Sequence, residues 1–302
     1  MQTMRLCLFN LFLSSCLLLI SPMVQAQESD AGDSTPELSA SHKWQLNPPE
    51  RKWRVRLNPE LGFVGPVFHT IQLSQDGTKF DYLEEGGQDN LFLYARLQAE
   101  FEFFERLNIV FLYQPLDIRT KVALQNDHRF NGTDYPAGTP LDLRYGFSFY
   151  RLSIYYDFFR QPDRELGIGL SAQIRNATID FTSADGTKRT STRDIGFVPI
   201  IKLRGRYTFA KGFFLATEID GFYAQGKGVV GRTNVEAGFK GLIVDASVRA
   251  GFYAAPVGDI YLNIRYIGGG AEGTSESSPP PSDGYTSNWL HTIALSLGFI
   301  LR

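Results

Sequence analysis

An all-β fold, an antiparallel up-and-down transmembrane β-barrel, is predicted by three features of this 302-residue sequence. The closing stretch 285–302 alternates between apolar and small or polar side chains. Segments of the same kind recur from residue 51 onward, separated by turn residues. Beyond the amino terminus, no stretch approaches the ~20 continuous apolar residues that a spanning helix needs, so a membrane would have to be crossed by strands.

In the closing stretch one face reads Trp289, Ile293, Leu295, Leu297, Phe299 and Leu301, interrupted only by His291. The other reads Asn288, Thr292, Ala294, Ser296 and Gly298, with Leu290 and Ile300 as exceptions. Successive side chains of a strand point to opposite faces, so one side suits lipid and the other water. A strand tilted by ~45° and rising ~3.3 Å per residue sets Trp289 and Phe299 roughly 23 Å apart along a membrane normal. That is the height of a lipid-facing band with an aromatic girdle at each rim.

The other strands follow in order. The first, 53–73, carries Trp53, Val55, Leu57, Leu61 and Phe63 on one face. A polar loop, 75–89, leads to the second, 90–104, and a tight turn at Glu105-Arg106 to the third, 107–124. The loop 125–140 precedes the fourth, 141–159, and a short turn precedes the fifth, 165–182. The sixth, 193–209, turns at 210–212 into the seventh, 213–225; the eighth is 242–254, the ninth 259–268 and the tenth follows a Ser/Pro-rich loop ending at 284. Ten strands with short turns at one end and long loops at the other is a barrel pattern. Eight or twelve strands are the alternatives, because 229–241 or the loop around Asp76-Gly77 could hold a further hairpin. Both termini fall on the short-turn side, which is periplasmic in this architecture.

Upstream, Arg5, an apolar run from Leu6 to Ile20 and the small-residue site Val24-Gln25-Ala26 read as a secretory signal peptide, 1–26, followed by a flexible periplasmic leader, 27–50. Leu13-Ser14-Ser15-Cys16 resembles a lipoprotein site, but the apolar run continues beyond it. Cleavage would remove both cysteines, Cys7 and Cys16, leaving no disulfide, thiolate metal site or cysteine nucleophile. It would also remove one cation, leaving 29 Lys and Arg against 32 Asp and Glu. No basic excess points to nucleic acid.

The non-lipid faces of the strands are strongly charged. They carry Arg54, Arg56, Glu60, Arg96, Glu100, Glu102, Arg151, Asp157, Arg175, Lys202, Arg204, Arg206, Glu218, Asp220, Asp245, Arg249 and Arg265. Charges survive burial only when paired or hydrated, so these predict a ladder of ion pairs across the lumen. Such a ladder either fills a small barrel or lines a narrow passage biased toward anions by Arg54, Arg56, Arg175, Lys202, Arg204 and Arg206.

In three strands the apolar phase reverses partway. Strand three changes from Leu107, Ile109, Phe111 and Tyr113 to Leu116, Ile118 and Val122, and strands four and five change at the same height. The expected geometry is a sheet that continues above the membrane, apolar inside and polar outside. Leu116, Ile118, Leu143, Tyr145, Phe147, Phe149, Ile179 and Phe181 would form an apolar outer mouth, either a sealed core or a pocket for a hydrophobic ligand. Bulges at Pro115 and at Phe149-Tyr150 that restore the phase are the competing explanation. Arg119, Lys121 and Arg144 would face outward at the level of lipopolysaccharide phosphates, or form an ordinary solvated face.

Signals of catalysis are weak. His42 falls in the leader and His291 on the lipid face; His69 and His128 lie at the loop end with no serine at a pairing spacing. The acids Asp76, Asp81, Glu84, Glu85 and Asp89 lack the ordered spacing of a calcium loop, and Gly268-Gly269-Gly270 ends a strand instead of opening a helix. No metal or cofactor is expected.

The segments Tyr145-Gly146-Phe147-Ser148-Phe149-Tyr150-Arg151, Glu165-Leu166-Gly167-Ile168-Gly169-Leu170-Ser171 and 284–299 resemble a group of bacterial outer-membrane β-barrel proteins known by their fold. The resemblance covers 51–302 and implies location and architecture, with no activity or functional motif to carry over. The ending Phe299-Ile300-Leu301-Arg302 departs from the usual barrel terminus, where an aromatic is last. The expected partners are outer-membrane lipid, lipopolysaccharide and the barrel assembly machinery. The expected function is a non-enzymatic barrel of the outer membrane, a narrow or gated passage for small solutes. The alternatives are a lipid-handling or hydrolytic barrel and a structural or surface-binding envelope protein.

Overall fold

A computed structural model describes residues 53–159, 161, 163–209, 212–230, 235–255, 258–274 and 283–302. The segments expected to be a signal peptide, 1–26, and a leader, 27–50, lie outside these residues, as do both cysteines. The strands, in chain order, are β1 (Trp53–Leu73), β2 (Phe80–Asp81), β3 (Phe92–Phe103), β4 (Leu107–Gln114), β5 (Asp117–Ala123), β6 (His128–Phe130) and β7 (Thr133–Tyr135). They continue with β8 (Pro140–Asp157), β9 (Arg164–Ser183), β10 (Arg189–Thr208), β11 (Phe213–Val230), β12 (Val235–Ala255), β13 (Gly258–Thr274) and β14 (Tyr285–Leu301).

Ten antiparallel strand positions close into a barrel, with β4 and β5 sharing one of them. Closure comes from β14 pairing with β1, from Leu57 opposite Leu301 to Leu73 opposite Thr286. A closed sheet has no edge, which is the condition for strands to stand in hydrocarbon. Among the described residues of 229–241 there is no separate hairpin; β11 and β12 lengthen until Val230 is paired with Val235. The first long loop does hold a short strand, β2, paired with Thr70 and Ile71, and the second holds the β6–β7 hairpin.

Exposed apolar side chains ring the outside of the barrel. Lower-rim aromatics include Trp53, Phe104, Phe158, Phe209 and Phe213. Trp289 stands at the upper rim with the Lys240 ammonium 5.7 Å from its ring centroid, and Phe299 faces outward ten residues further down β14. The β3–β4 turn runs from Phe104 to Arg106, with Phe103 opposite Leu107; it contains the expected Glu105-Arg106 and one residue more, and Phe104 and Glu105 stand at positive φ (49° and 65°). Two successive left-handed residues match the strand twist, which offsets the steric cost of that backbone in side chains other than glycine.

The reversal of apolar phase is a change of chemistry on an unshifted backbone. In β8 the odd positions from Leu141 to Asp157 point inward throughout. β4 and β5 keep one register against β8, with Gln114 opposite Phe149 and Asp117 opposite Gly146, so no bulge forms at Pro115 or Phe149-Tyr150. Outward residues of β9 run Leu166, Ile168, Leu170, Ala172 and Ile174, then Asn176, Thr178, Asp180 and Thr182, tracking lipid and then water. A bulge does occur in β1, between Pro66 and Phe68. It turns His69, Ile71 and Leu73 inward after Leu61, Phe63 and Val67 have faced out.

One seam in the wall is incomplete. β10 and β11 pair only from Ile201 opposite Gly221 down to Thr208 opposite Phe214. Above that level β10 stays paired with β9 up to Arg189, and β11 with β12 up to Val230. Pro199 stands two residues past the last β10–β11 pair. A proline cannot donate to a ladder and belongs on an edge, which is what β10 becomes here.

The apolar band predicts a graded response to charge. Leu170→Arg, at mid-band, should cost ~2–4 kcal/mol in urea unfolding of the vesicle-inserted protein, whereas Thr182→Arg, on the same face above the band, should change stability by less than ~0.5 kcal/mol.

Candidate functional site

Inward residues of the lower and middle barrel form two groups of ion pairs, one around Asp245 and Glu218 and one below it around Glu100. Asp245 of β12 accepts from Arg96 of β3 (3.2 Å), Arg151 of β8 (3.0 Å) and Arg265 of β13. Asp220 of β11 takes Arg151 (2.7 Å) and Lys202 of β10 (3.0 Å). Glu218 takes Arg96 (3.2 Å), Lys202 (3.0 Å) and Arg249 (3.3 Å). Glu60 of β1 pairs with Arg249 (3.1 Å) and accepts from Tyr261, Asn263 and Ser296. Below these, Glu100 pairs with Arg56 and Arg204, and Glu102 with Arg54 and Arg56.

These lumen residues are buried, Arg54 apart, from Asp245 and Arg265 at 0 % to Arg204 at 7 % exposed. Such burial is tolerable because each carboxylate is shared among several donors. Tyrosines pack between them. Tyr155 donates to Glu100 and Glu165, and its ring lies where a Cβ at Gly167 would meet it at 2.5 Å. Tyr261 covers Gly298 in the same way.

Two residues of the expected ladder have other surroundings. Arg175 stands high on β9 and pairs with the half-exposed Asp194 of β10 at 3.0 Å, away from the network. Asp157 is buried at the lower end, where its carboxylate accepts the backbone N–H groups of Phe159 and Leu166 and caps a turn. Arg206 pairs with Asp259, which also holds Arg302. Sequence reasoning missed Glu165, Asp259, Arg302, Gln114 and Gln173. Glu165, Asp259 and Arg302 sit at strand ends, where alternation gives no signal, and the glutamines carry no charge to draw attention.

Above the network the interior becomes apolar. Ile118, Leu143, Tyr145, Ile179 and Phe181 form a buried cluster, with Leu116 and Phe147 packed against it. The two long loops complete it from inside. Phe80 and Tyr82 come from the first loop, and Phe130 and Tyr135 from the β6–β7 hairpin, with Phe130 stacked on Phe181 at 3.9 Å. Phe149 is buried too and faces Arg151, 5.3 Å from its ring centroid, at the boundary between the apolar and charged layers. His69 is stacked between loop and wall, 4.1 Å from Tyr82, and hydrogen-bonded to Gln88; His128 pairs with Glu85.

This core occupies one side of the mouth. On the other side lies a cavity of about 550 Å³. Phe147, Phe149 and Ala177 bound it on one flank, Phe222 and Ala224 on another, and Leu290 on a third. Gly268-Gly269-Gly270 contributes backbone to another part of its wall, while Gln114 and Gln173 lie toward the network. Volume and lining are those of a small-molecule site.

The remaining sequence candidates have protein partners. Outside, Asp117 holds Arg144 (2.8 Å) and Arg119 (3.3 Å), and Lys121 pairs with Asp142 (3.1 Å). Hydrogen bonds from Arg144 above all, and from Arg119, keep the Asp117 carboxyl below its ordinary range. In the first loop Asp76 pairs with Arg129, and Asp81 accepts the backbone of Leu83 and Glu84. Among the described residues no group of three His, Cys, Asp or Glu side chains is placed to hold a metal.

No family model matches the chain, and no curated protein matches it. Solved structures do resemble it. The outer membrane protease OmpT from Escherichia coli is 12 % identical, over 82 % of this chain and 96 % of that one, with a TM-score of 0.47. The outer membrane protein OprG from Pseudomonas aeruginosa is 10 % identical over 82 % and 96 %, at 0.36. The toluene transporter TodX of Pseudomonas putida is 8 % identical over 82 % and 90 %, at 0.32. Likeness at this level is confined to the barrel fold and extends to no substrate or reaction.

The network predicts a steep contrast between its centre and the surface. Asp245→Asn leaves three buried guanidiniums short of a counter-charge and should cost ~3–5 kcal/mol, whereas Asp142→Asn, at an exposed pair, should cost under ~1 kcal/mol. Urea unfolding in vesicles measures both.

Proposed function

We propose that this chain is a non-enzymatic barrel of the bacterial outer membrane that takes a largely apolar small ligand into the outer half of its lumen. The observation that carries this reading is the cavity of about 550 Å³ beside Phe147, Phe149 and Leu290, standing on a layer of buried ion pairs. A passage for hydrated solutes would need water-filled space through that layer. The cations suggested to line it instead have carboxylate partners: Arg56 has Glu100, Lys202 has Asp220, Arg204 has Glu165 and Arg206 has Asp259. Apolar walls above a closed floor favour binding, and the lipid-handling alternative fits that better than free diffusion. The outward collar of Arg119, Lys121 and Arg144 would meet lipopolysaccharide phosphates only in competition with Asp117 and Asp142. The outer-membrane address fits the apolar outer band and the signal-like segment 1–26.

The refolded protein should be electrically silent in a planar bilayer and should bind a fluorescent polyene fatty acid saturably. Phe147→Asp should weaken that binding at least tenfold while heat-modifiable mobility, the mark of a folded barrel, is kept. Stable, salt-dependent conductance steps with anion preference, lost on replacing Arg204 and Arg206, would overturn the reading in favour of a passage.

A further inference from the structure

The cavity is not bounded by inward side chains alone. Phe197 and Pro199 belong to the outward-facing positions of β10, yet they line the same space as the inward Phe222 and Ala224 of β11. This is possible because the wall is unpaired at that level, the last β10–β11 partners being Ile201 and Gly221. Among the described residues no backbone hydrogen bond joins the strands above it.

The height of this seam decides what it meets. The β9–β10 register sets Phe197 opposite Ile174 and Ile201 opposite Leu170, so the seam opens within the outer part of the lipid-facing band. Its outer margins are apolar and exposed: Ile195 at 74 %, Phe197 at 69 %, and Tyr223 of β11 at 58 %. At its upper end, where the band gives way to water, lies Arg175. One guanidinium nitrogen of Arg175 is held by Asp194 at 3.0 Å, while its Nε is buried without a hydrogen-bond partner. Gly196 makes room for this side chain, since a Cβ there would meet Nε at 2.5 Å.

We infer that the seam between β10 and β11 is a lateral doorway through which an acyl chain of an outer-leaflet lipid enters the cavity, with its polar head at Arg175. An acyl chain fits each part of this path. It lies already in the hydrocarbon beside Phe197, it needs no hydrogen bonds from an apolar chamber, and its ester or phosphate oxygens are acceptors for the guanidinium of Arg175, which lines the cavity. A hydrated solute would have to shed its water in lipid to use the same route. The inference rests on the ligand-binding reading above and names both the ligand class and the way in.

The test uses the full chain reconstituted in phosphatidylcholine vesicles containing a phosphatidylcholine with a diazirine in its acyl chain. After illumination, adducts are mapped by mass spectrometry. Adducts on the inward residues Phe222, Ala224 and Phe147 are expected, besides those on the outer face at Phe197. Continuing the β10–β11 register upward would set Val198 opposite Ala224, and with Cys7 and Cys16 replaced by serine the full chain has no other cysteine, so Val198→Cys with Ala224→Cys can be stapled by a short bismaleimide. Stapling should lower the adducts on Phe222 and Phe147 at least tenfold, leave Phe197 labelled, and leave heat-modifiable mobility unchanged. Inward adducts that persist after stapling would overturn the doorway while sparing the cavity as a binding site. Absence of inward adducts from the unstapled protein, with the soluble fatty acid still bound, would overturn the doorway in the same way. Failure of both probes would overturn the binding reading and this inference together.

Discussion

The carboxylate of Asp245, shared by Arg96, Arg151 and Arg265, is the interaction on which the interior depends. A barrel in hydrocarbon turns its apolar residues outward, so its polar residues must meet inside a narrow cylinder, where an unpaired charge is several kcal/mol uphill. Sharing this carboxylate among arginines from β3, β8 and β13 solves this across the bore instead of along one strand. The same contacts tie distant walls together and fill the cross-section. A barrel stabilised in this way has little freedom to conduct, and any room for a ligand must lie above the charged layer.

Above that layer the demands invert. Where the sheet rises out of lipid, Arg144, Asp117 and Asp142 face water, and the inside can be apolar. Because β8 keeps its register through the change, the inversion lies in side-chain choice, and the wall stays stiff. The loops use the apolar interior asymmetrically. Phe80, Tyr82, Phe130 and Tyr135 fill the side beneath β5, β8 and β9, which leaves the β10–β14 side hollow. Hollow chamber and unpaired seam adjoin, and the seam begins where Pro199 withholds a backbone donor.

Much of this was legible in advance because alternation is local. The strand count, the long ladders of β8, β9 and β14, and the inward placement of Glu60, Arg96, Glu218 and Asp245 all follow from period-two patterning, which fixes a face without knowledge of neighbours. Patterning could not assign Arg175 and Asp157 their surroundings. Arg175 has inward parity but stands above the charged layer beside an open seam, and Asp157 lies close enough to a turn to be taken by its backbone. The β1 bulge also left no trace, since an inserted residue such as Val67 reads like any other apolar position.

The sequence by itself determined an alternating all-β chain with lipid-suited outer faces, a charged inner face and an apolar outer mouth, because each is a property of a single strand. Tertiary structure alone decided which charges meet, which side of the mouth the loops fill, and where the wall fails to pair. Those outcomes depend on residues more than a hundred positions apart, such as Arg96 with Asp245, brought together only when β14 closes on β1.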